Sequence, residues 1–319
     1  MTEDWQNERT TPGPRSPQLS RSDPDRVRAR LAAATELKSE FRETRRHASQ
    51  PLAGRNVVVI FEKQSLRTRV TFEAGLNQLG GHALHLGEGI GFGVRESVSD
   101  IAHNLERWVD GIVIRTFDHS VVAELASESA LPVFNALTDD EHPFQALADL
   151  LALREHCGTL AGRVLTFVGD GNNVYHSLVL AGATLGMEIR LAHPEGYGPN
   201  QAVIAHAQEL AVGSGGKVVI GRDPRELAPG SDALYTDVWV SMGQEEQAHA
   251  RLGAFEGYCV DAGLLDIAGP DAVAMHCLPA HRGQEIAADV LDGARSLALE
   301  QAENRLHVQK AFMVESLGR

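Results

Sequence analysis

Short apolar runs alternate with amphipathic segments along the first half of the chain. The runs NVVVIF, HALHL, GIVIRTF and LPVFNAL predict strands. The segments RTRVTFEAGLNQLGG, SDIAHNLERWV and SVVAELASES carry apolar residues at helical spacing, and Gly80 and Gly81 predict where the first of these helices ends. A further helix is expected before the first strand, with Ser22 or Asp23 as its cap.

The second half continues this alternation. A long helix is predicted in DEHPFQALADLLALREHCG, where Pro143 suits the first turn. Strands are then predicted in VLTFVGD, MEIRLAH, KVVIG, ALYTDVW, GYCVDA and AVAMHCLP. We therefore predict an α/β fold with two doubly wound domains and parallel sheets, joined by interdomain helices. Ligands of such sheets bind at the carboxyl ends of the strands, so the site is expected there, in a cleft.

Composition narrows the class of protein. With 319 residues, 43% of them hydrophobic, the chain can bury a sizeable core, and its net charge of -14 argues against general binding to nucleic acid or to an acidic membrane. The three cysteines are scattered, which favours a reducing compartment and hence the cytoplasm. No run of about eighteen apolar residues predicts a membrane span. Residues 1–21 are predicted to be a disordered tail.

Three cations lie close together after the first predicted strand, in FEKQSLRTR. Ser65 can cap the following helix and leave backbone N–H groups pointing outward, while Arg67 and Arg69 flank the same turn. Arginine in a first helical turn opposes the helix dipole unless an anion lies there. The pattern therefore predicts a cradle for a phosphate-like anion, with solvated surface arginines as the alternative.

Polar residues also follow other predicted strands. Arg115 lies near the end of GIVIRTF, where an ion pair is the usual alternative to a ligand. His142 and Gln145 lie on the first turn of the long helix. A neutral histidine or an amide at this place can polarise a carbonyl oxygen, although a lone histidine is more often structural.

The sequence GDGNN after VLTFVGD raises the alternative of a dinucleotide site. The GxGxxG pattern needs a glycine where Val174 stands, and MEIRLAH ends in His193 where a ribose-binding acid is expected. A nucleotide-dependent oxidoreductase therefore fits poorly. The two asparagines, of which Asn173 is the second, suit hydrogen bonding to a zwitterion better.

Two later strand ends add further groups. Asp237 and Ser241, in DVWVSMG, offer an anion for an ammonium group and a small hydroxyl, and Arg282, in HCLPAHRG, can bind a carboxylate or phosphate. For Cys277, the alternative to a role in the site is that its thiol is buried and structural. No spacing of cysteine and histidine makes a zinc site, so no metal is expected. Together the strand ends predict a transferase that binds a phosphorylated substrate and an amino acid.

The motifs FEKxSxRTR, HPxQ, GDGNN, DxWVSMG and HCLPAHRG, in this order, resemble the aspartate/ornithine carbamoyltransferase family, and DxxxSMG with HCLP resembles its ornithine branch. The resemblance runs from about Leu52 to the terminal segment SLALEQAENRLHVQKAFMVESL. It implies transfer of the carbamoyl group of carbamoyl phosphate to the δ-amine of ornithine, giving citrulline and phosphate in arginine biosynthesis, with no cofactor. It also implies a homotrimer with active sites between subunits.

The resemblance further implies roles for domains and residues. Residues 22–150, completed by the C-terminal helix 303–319, would bind carbamoyl phosphate, and residues 151–302 would bind ornithine. Carbamoyl phosphate would be held by Ser65, Leu66, Arg67, Thr68, Arg115, His142, Gln145, Cys277, Leu278 and Arg282. Ornithine would be held by Asn173, Asp237, Ser241 and Met242. The catalytic residues would be Arg67, Arg115, His142, Asp237 and Cys277.

Two residues depart from the family pattern. Leu66 stands where threonine is usual, and Gly91 stands where glutamine or histidine is expected in the loop of residues 89–97 that would reach a neighbouring subunit. Arg95 in that loop can compensate for the missing side chain, or can be a solvated cation. These departures leave two alternatives open: a related enzyme that carbamoylates another amine, or a catalytically silent protein that binds ligands and regulates a partner.

Overall fold

The computed structural model describes residues 23–63, 65–87, 91–240 and 245–318. The predicted tail at residues 1–21 lies outside this part of the chain, as does Ser22. Two parallel sheets, of four and five strands, alternate with helices and confirm the predicted α/β class. No helix in the described part is long and apolar enough to cross a membrane.

With one exception, described below, the strands follow one another in the predicted order. The strands are β1 Asn56–Phe61, β2 His82–Leu86, β3 Gly111–Arg115, β4 Val133–Leu137, β5 Val164–Val168, β6 Glu188–Ala192, β7 Lys217–Gly221, β8 Ala233–Thr236 and β9 Val273–His276. The helices are α1 Pro24–Thr44, α2 Leu66–Gln78, α3 Val98–Leu105, α4 His119–Glu128, α5 Pro143–Cys157, α6 Asn173–Thr184, α7 Gln201–Ser214, α8 Pro224–Leu227, α9 Ala248–Ala254, α10 Ala262–Ala268, α11 Ala288–Leu291 and α12 Ala298–Leu317.

The described residues divide into two compact units, one of residues 23–144 and 304–318 and the other of residues 145–303. The sheet of the first unit has the strand order β2-β1-β3-β4, with every neighbouring pair parallel. β1 and β3 are central and buried, whereas β2 is an edge strand with mostly exposed side chains. The β-branched run NVVVIF therefore forms the expected central strand because both its faces are covered.

Helices pack on both faces of this first sheet. Apolar side chains of α3 and α4, among them Ile101, Leu105 and Leu125, cover the residues Ile60 and Ile114 of β1 and β3. A separate aromatic cluster is formed by Phe72 of α2, Phe134 of β4, Phe144 of α5 and Phe312 of α12. The C-terminal helix thus packs into the core of the first unit.

The sheet of the second unit has the order β7-β6-β5-β8-β9 and is also parallel. Next to the central strand β5, helix α6 is buried from Val174 to Thr184, which explains its nearly uninterrupted apolar sequence. Phe167 of β5 stacks on Tyr235 of β8, with 5.1 Å between ring centroids. These contacts fix the strand ends from which the polar side chains project.

One strand prediction is wrong. GYCVDA contributes only an isolated bridge between Val260 and Ile286, and α10 begins directly afterwards. The reason is local, since Asp261 accepts a hydrogen bond from the backbone N–H of Leu264 (2.7 Å) and caps that helix. A capping aspartate in the middle of an apolar run therefore ends the extended segment.

Candidate functional site

In the first unit, the predicted anion cradle lies at the start of α2, after β1. Ser65 is the N-cap, and its hydroxyl accepts a hydrogen bond from the backbone N–H of Thr68 (3.2 Å). Arg67 is half-buried, whereas Leu66 is 74% exposed and directs its side chain outward. Because no acidic residue stands in the first turn of α2, its N-terminal dipole favours an anionic ligand.

Thr68 joins two arginine side chains that come from distant parts of the sequence. Arg115, at the end of β3, donates from Nη1 to the Thr68 hydroxyl (3.4 Å). Arg305, on α12, donates to the same oxygen from Nη2. The register between β3 and β4 shifts directly before Arg115, at the carboxyl end of the strand. All three residues are buried, so this part of the unit concentrates positive charge away from water.

Burial and mutual repulsion perturb the groups of this cluster. The pKa of Arg115 is lowered to about 10, first by burial and then by the charge of Arg67. The pKa of His142 lies well below its usual value, because the ring is buried and because Arg305, Arg115 and Arg67 repel a proton. His142 is therefore a neutral imidazole at physiological pH, able to donate one hydrogen bond without adding charge.

The other two cations of FEKQSLRTR have ordinary ion pairs. Lys63 is buried, pairs with Asp139 (2.5 Å) and lies over the ring of Phe117. Arg69 is exposed and pairs with Glu73 one turn along α2 (2.8 Å). Arg69 thus lies on the helix surface whereas Arg67 is half-buried, a difference that the sequence had not shown.

In the second unit, Asp237 follows β8 and collects several hydrogen bonds. Its Oδ1 accepts from the Cys277 thiol (2.8 Å) and from the backbone N–H of Val238 (2.8 Å). Its Oδ2 accepts from the side-chain amide of Asn172 (2.8 Å), the residue that caps α6. The ends of β5, β8 and β9 are therefore connected through one carboxylate.

The thiol of Cys277 is held in its protonated form. Its pKa is raised well above the usual value, first by burial and then by the charge of Asp237. Tyr235, which stands shortly before Asp237 in the sequence, is fully buried, and burial and the charge of Asp149 raise its pKa as well. Cys277 therefore acts as a hydrogen-bond donor to Asp237 and has no thiolate character.

The segment HCLPAHRG after β9 has a fixed backbone. Leu278 has a left-handed φ of 56°, and its N–H donates to Nδ1 of His276 (2.8 Å). His276 Nε2 in turn contacts the buried carboxylate of Glu285, 3.2 Å away, which also accepts from the N–H of His281. A left-handed backbone is costly for leucine, so these bonds hold a conformation that the chain would otherwise avoid.

The remaining predicted residues are distributed as follows. Asn173 is half-buried in the first turn of α6, next to the capping Asn172. Gln145 is buried on α5, one turn before Asp149. Ser241 and Met242 lie outside the described residues. Arg282 is half-exposed and makes a two-pronged ion pair with Asp292 (2.7 and 2.9 Å).

The sequence analysis missed Arg305 and did not single out Asn172 from the two asparagines of GDGNN. Arg305 had no signal beyond one cation in an amphipathic terminal helix, and only the fold brings it to Thr68. Asn172 was available in GDGNN, where the capping position identifies it. The glycine of the same motif has a packing role, because a Cβ on Gly171 would lie 2.4 Å from the backbone nitrogen of Pro199.

Metal chemistry has no candidate centre in the part of the chain that the structure describes. No group of three or more histidine, cysteine, aspartate or glutamate side chains is placed there to hold an ion. What the described residues provide is a buried cationic cluster with a neutral imidazole in one unit, and a carboxylate with amide and thiol donors in the other.

Known proteins match the chain over nearly its whole length. Residues 18–155 match the family model "Aspartate/ornithine carbamoyltransferase, carbamoyl-P binding domain", and residues 161–315 match the model of the Asp/Orn binding domain of the same family. A curated ornithine carbamoyltransferase from Parafrankia sp. (strain EAN1pec) is 48% identical over 295 residues, which cover 91% of this chain and 93% of that protein. One from Methanothermobacter thermautotrophicus is 51% identical over 263 residues, 82% of this chain and 87% of that protein.

Solved structures agree with these matches. The ornithine carbamoyltransferase from Pyrococcus furiosus superposes with a TM-score of 0.91 at 42% identity, covering 94% of this chain and 96% of that one. The protein of that name from Gloeobacter violaceus superposes with a TM-score of 0.85 at 44% identity, covering 97% and 100%. Both the sequence and the fold are therefore shared with these proteins.

Proposed function

Because the chain belongs to the aspartate/ornithine carbamoyltransferase family, we propose that it transfers the carbamoyl group of carbamoyl phosphate to the δ-amine of L-ornithine, giving L-citrulline and phosphate. The relatives named above carry the name ornithine carbamoyltransferase, which favours ornithine over aspartate as the acceptor. The proposal places the enzyme in arginine metabolism and in the cytoplasm.

The cationic cluster of the first unit is the observation that carries the proposal. Arg115 and Arg305 share the hydroxyl of Thr68 at the N-terminus of α2, and both are buried. Such an arrangement costs free energy through burial and repulsion, and a doubly charged phosphate would offset both. Guanidinium groups and backbone N–H groups also match the oxygen geometry of a phosphate monoester. We assign carbamoyl phosphate to this unit, with Arg67 as a further phosphate ligand.

The second unit supplies groups suited to the amino acid. The carboxylate of Asp237 can pair with the ammonium form of the δ-amine. Hydrogen bonds from Asn172 and Cys277 hold this carboxylate in place. An alkyl amine has a pKa of about 10.4, so it arrives protonated and must lose a proton before it attacks. Asp237 is proposed to orient the amine. Asn173, Ser241 and Met242 are proposed to bind the rest of the amino acid.

The reaction needs no covalent intermediate. The nitrogen of the δ-amine attacks the carbamoyl carbon, and the carbon–oxygen bond to phosphate breaks with its electron pair going to the leaving phosphate. The proton released by the amine is taken up by that phosphate. A neutral His142 can donate a hydrogen bond to the carbonyl oxygen as negative charge develops there, while Arg115 stabilises the phosphate. Removing one such donor typically lowers kcat about a hundredfold.

A homotrimer with active sites between subunits is also proposed. On the first unit, the edge strand β2 exposes Leu84 (45%) and Leu86 (39%), and the neighbouring α2 exposes Leu66 (74%) and Val70 (52%). Exposed apolar residues on an unpaired edge are typical of an interface. Leu84→Glu should lower the mass measured by light scattering from trimer to monomer. Val212→Glu, at an 86% exposed position of α7, serves as the control. A monomeric parent protein would contradict the proposal.

The catalytic proposal is tested by a citrulline-forming assay with carbamoyl phosphate and a panel of amines. The panel contains ornithine, N-acetylornithine, lysine and putrescine, and turnover with ornithine is expected to exceed that with the other amines by at least about a hundredfold. Turnover with a different amine alone would favour the related enzyme with another acceptor. No turnover with any amine, with phosphate still binding in calorimetry, would favour the silent ligand-binding protein.

Two neighbouring arginines allow a matched comparison of the cradle. Arg67→Ala should lower kcat/KM for carbamoyl phosphate by a hundredfold or more, because a phosphate ligand is removed. Arg69→Ala removes the same charge two positions away but breaks only an exposed pair with Glu73, so a change below about threefold is expected. Equal losses of kcat/KM in both variants would show that positive charge near the start of α2 is sufficient, and that no specific contact of Arg67 with the phosphate is needed.

Leu66 supplies a further comparison within the same turn. Its side chain is exposed, so it leaves the backbone N–H groups of the first turn of α2 available to an anion. Leu66→Thr would add a hydroxyl where the family usually has one. A lower KM for carbamoyl phosphate in this variant would indicate that the parent enzyme lacks one phosphate ligand.

A further inference from the structure

Two buried side chains of the second unit anchor the backbone on either side of Cys277. The backbone N–H of His276 donates to the side-chain carbonyl of Gln301 (2.9 Å), and the N–H of Leu278 donates to Nδ1 of the His276 ring (2.8 Å). Cys277 therefore lies between two anchored peptide groups, and its thiol donates to Asp237 (2.8 Å). The direction of that thiol depends on the backbone that carries it.

The hydrogen bond from Leu278 determines the tautomer of His276. A ring nitrogen that accepts from a backbone N–H carries no proton, so the proton of the neutral ring is on Nε2. Nε2 lies 3.2 Å from Oε1 of Glu285, and both side chains are fully buried. The ring therefore donates to a carboxylate with one nitrogen and accepts from the backbone with the other.

Glu285 is held in place as a charged acceptor. Its Oε1 also accepts from the backbone N–H of His281. Burial alone would raise the pKa of Glu285, but the hydrogen bonds from His276 and His281 outweigh burial and lower the pKa. An ionised carboxylate can only accept, so it keeps the Nε2 proton of His276 directed toward itself. Glu285 thus excludes the other tautomer, whose Nδ1 could not accept from Leu278.

The backbone of Leu278 needs this support. Its φ of 56° lies in the left-handed region, which is unfavourable for leucine. The free-energy cost of that conformation is similar in size to the net contribution of one hydrogen bond. Loss of the acceptor on His276 would therefore allow Leu278 to leave the conformation, and the neighbouring Cys277 would turn with it.

We propose that Glu285 and His276 are positioning residues for the amino-acid step, because they hold the Cys277 thiol in the direction in which it donates to Asp237. They thereby fix the carboxylate that pairs with the δ-amine. The inference rests on the proposed function, and it adds two buried residues that act through Cys277. All of these groups belong to the second unit, so binding of inorganic phosphate by the cationic cluster of the first unit should not depend on them.

Two substitutions of Glu285 test the proposal. Glu285→Met removes the acceptor and should lower kcat/KM for ornithine about tenfold. Glu285→Gln keeps a carbonyl oxygen for His276 and His281 and should stay within about threefold of the parent. The inhibition constant of inorganic phosphate should change less than about threefold in both variants. If Glu285→Met weakened ornithine and phosphate alike, a general loss of structure would be the cause and the positioning role would be refuted.

A double-variant cycle shows whether Glu285 acts through the thiol. Cys277→Ala combined with Glu285→Met should lower kcat/KM for ornithine no further than the more damaging single variant, about tenfold, because both remove the same contact to Asp237. Independent effects would multiply to about a hundredfold, and this result would overturn the proposal.

The first unit offers a matched control. Glu40 also accepts from a histidine ring, that of His47, and from a backbone N–H, that of Ala48. Glu40→Met therefore removes a carboxylate with the same kinds of partner, and kcat/KM for ornithine should remain within about threefold of the parent. A tenfold loss in this variant would show that the effect of Glu285→Met is not specific to the segment around Cys277.

A spectroscopic test remains decisive if Glu285→Met folds poorly. NMR spectra of the parent protein and of Glu285→Gln with isotope-labelled histidine should show His276 as the neutral tautomer protonated on Nε2. The signal is assigned by its absence in His276→Asn. A proton on Nδ1 of His276 in the parent protein would contradict the proposal, whatever the activity.

The parent protein separates this inference from the proposed function. If the parent makes citrulline and Glu285→Met keeps its kcat/KM for ornithine, only the positioning role is refuted. If the parent makes no citrulline, the carbamoyl-transfer proposal fails, and the affinity for ornithine in calorimetry replaces kcat/KM in the same comparison. Weaker binding in Glu285→Met than in Glu285→Gln would then support the positioning of Asp237, and equal binding would refute it.

Discussion

A buried lysine in the first unit gives a prediction whose size follows from the structure. Lys310, on α12, donates to Nε2 of His47 (2.9 Å), and Nδ1 of His47 contacts the carboxylate of Glu40, 2.5 Å away. The ammonium group also lies 4.1 Å from the centre of the Phe41 ring. Its pKa is lowered from 10.5 to about 8, mainly by burial, while Glu40 partly opposes this effect. The perturbation we choose is Lys310→Met, which keeps the length of the side chain and removes the charge.

The sign and magnitude of the effect on the free energy of unfolding follow from the difference in the pKa of Lys310 between the folded and unfolded states. Below pH 8 the lysine is charged in both states, and burial of this charge lowers the free energy of unfolding by about 3.4 kcal/mol, at 1.36 kcal/mol for each pH unit of difference. Above pH 8 the folded protein releases the proton while the unfolded chain retains it, so the penalty disappears as the pH approaches 10.5. Between pH 7 and pH 9.5 the parent protein should therefore gain about 2 kcal/mol relative to Lys310→Met.

Urea unfolding of both proteins at several pH values measures this difference. The comparison at each pH removes the contribution of cysteine thiols, which titrate in the same range in both proteins. Protein concentration is held constant, because association adds to apparent stability. Lys217→Met, at an exposed position of β7, is the control and should run parallel to the parent. If the curves of Lys310→Met and the parent were also parallel, the buried charge would not be the source of the effect.

Three further predictions concern the candidate site and its surroundings. Because the pKa of His142 is strongly lowered, the unfolded chain binds a proton there below about pH 6.5 while the folded protein does not. The free energy of unfolding should therefore fall between pH 7 and pH 5, and it should fall less in His142→Gln; urea unfolding measures both. Cys277→Ala should lower kcat/KM for ornithine about tenfold and Cys277→Ser less, because serine still donates to Asp237; steady-state kinetics test this. Gly171→Ala should lower stability by about 1–3 kcal/mol in thermal unfolding, whereas Gly213→Ala, where nothing lies within 4 Å, should not.

Most of the fold could be predicted because the signals are local. NVVVIF is β-branched throughout and forms a central strand, and the Pro143 signal marks the true start of α5. GYCVDA was wrongly predicted to be a strand because its apolar residues outweighed a single aspartate. In the protein, that aspartate caps α10 and ends the extended segment. Apolar runs of this length do not by themselves distinguish a strand from the approach to a helix.

Candidate site residues on strand ends were also predictable, whereas pairings between distant segments were not. Arg115 and Asp237 both stand at or directly after a strand, which is where parallel sheets present ligand groups. Arg305 lies on a helix face, and nothing in QAENRLHVQK distinguishes it from a solvated cation. Its contact with Thr68 spans more than two hundred positions and depends on the return of the C-terminal helix to the first unit. Such long-range contacts leave no periodic trace in a sequence.

The same polar groups serve folding and ligand binding, and this sets a limit on how the site can vary. Thr68 is fully buried on the first turn of α2, accepts from two arginines and donates its backbone N–H to the cap. Loss of the Thr68 hydroxyl would remove the acceptor that both guanidinium groups share, so binding and stability would change in one step, whereas the backbone N–H would still donate to the cap. The side chain of Leu66 is exposed and contributes neither to the folding contacts nor to the ligand-binding groups of this turn. The departure from the family pattern therefore stands at a position of this turn where the fold tolerates it.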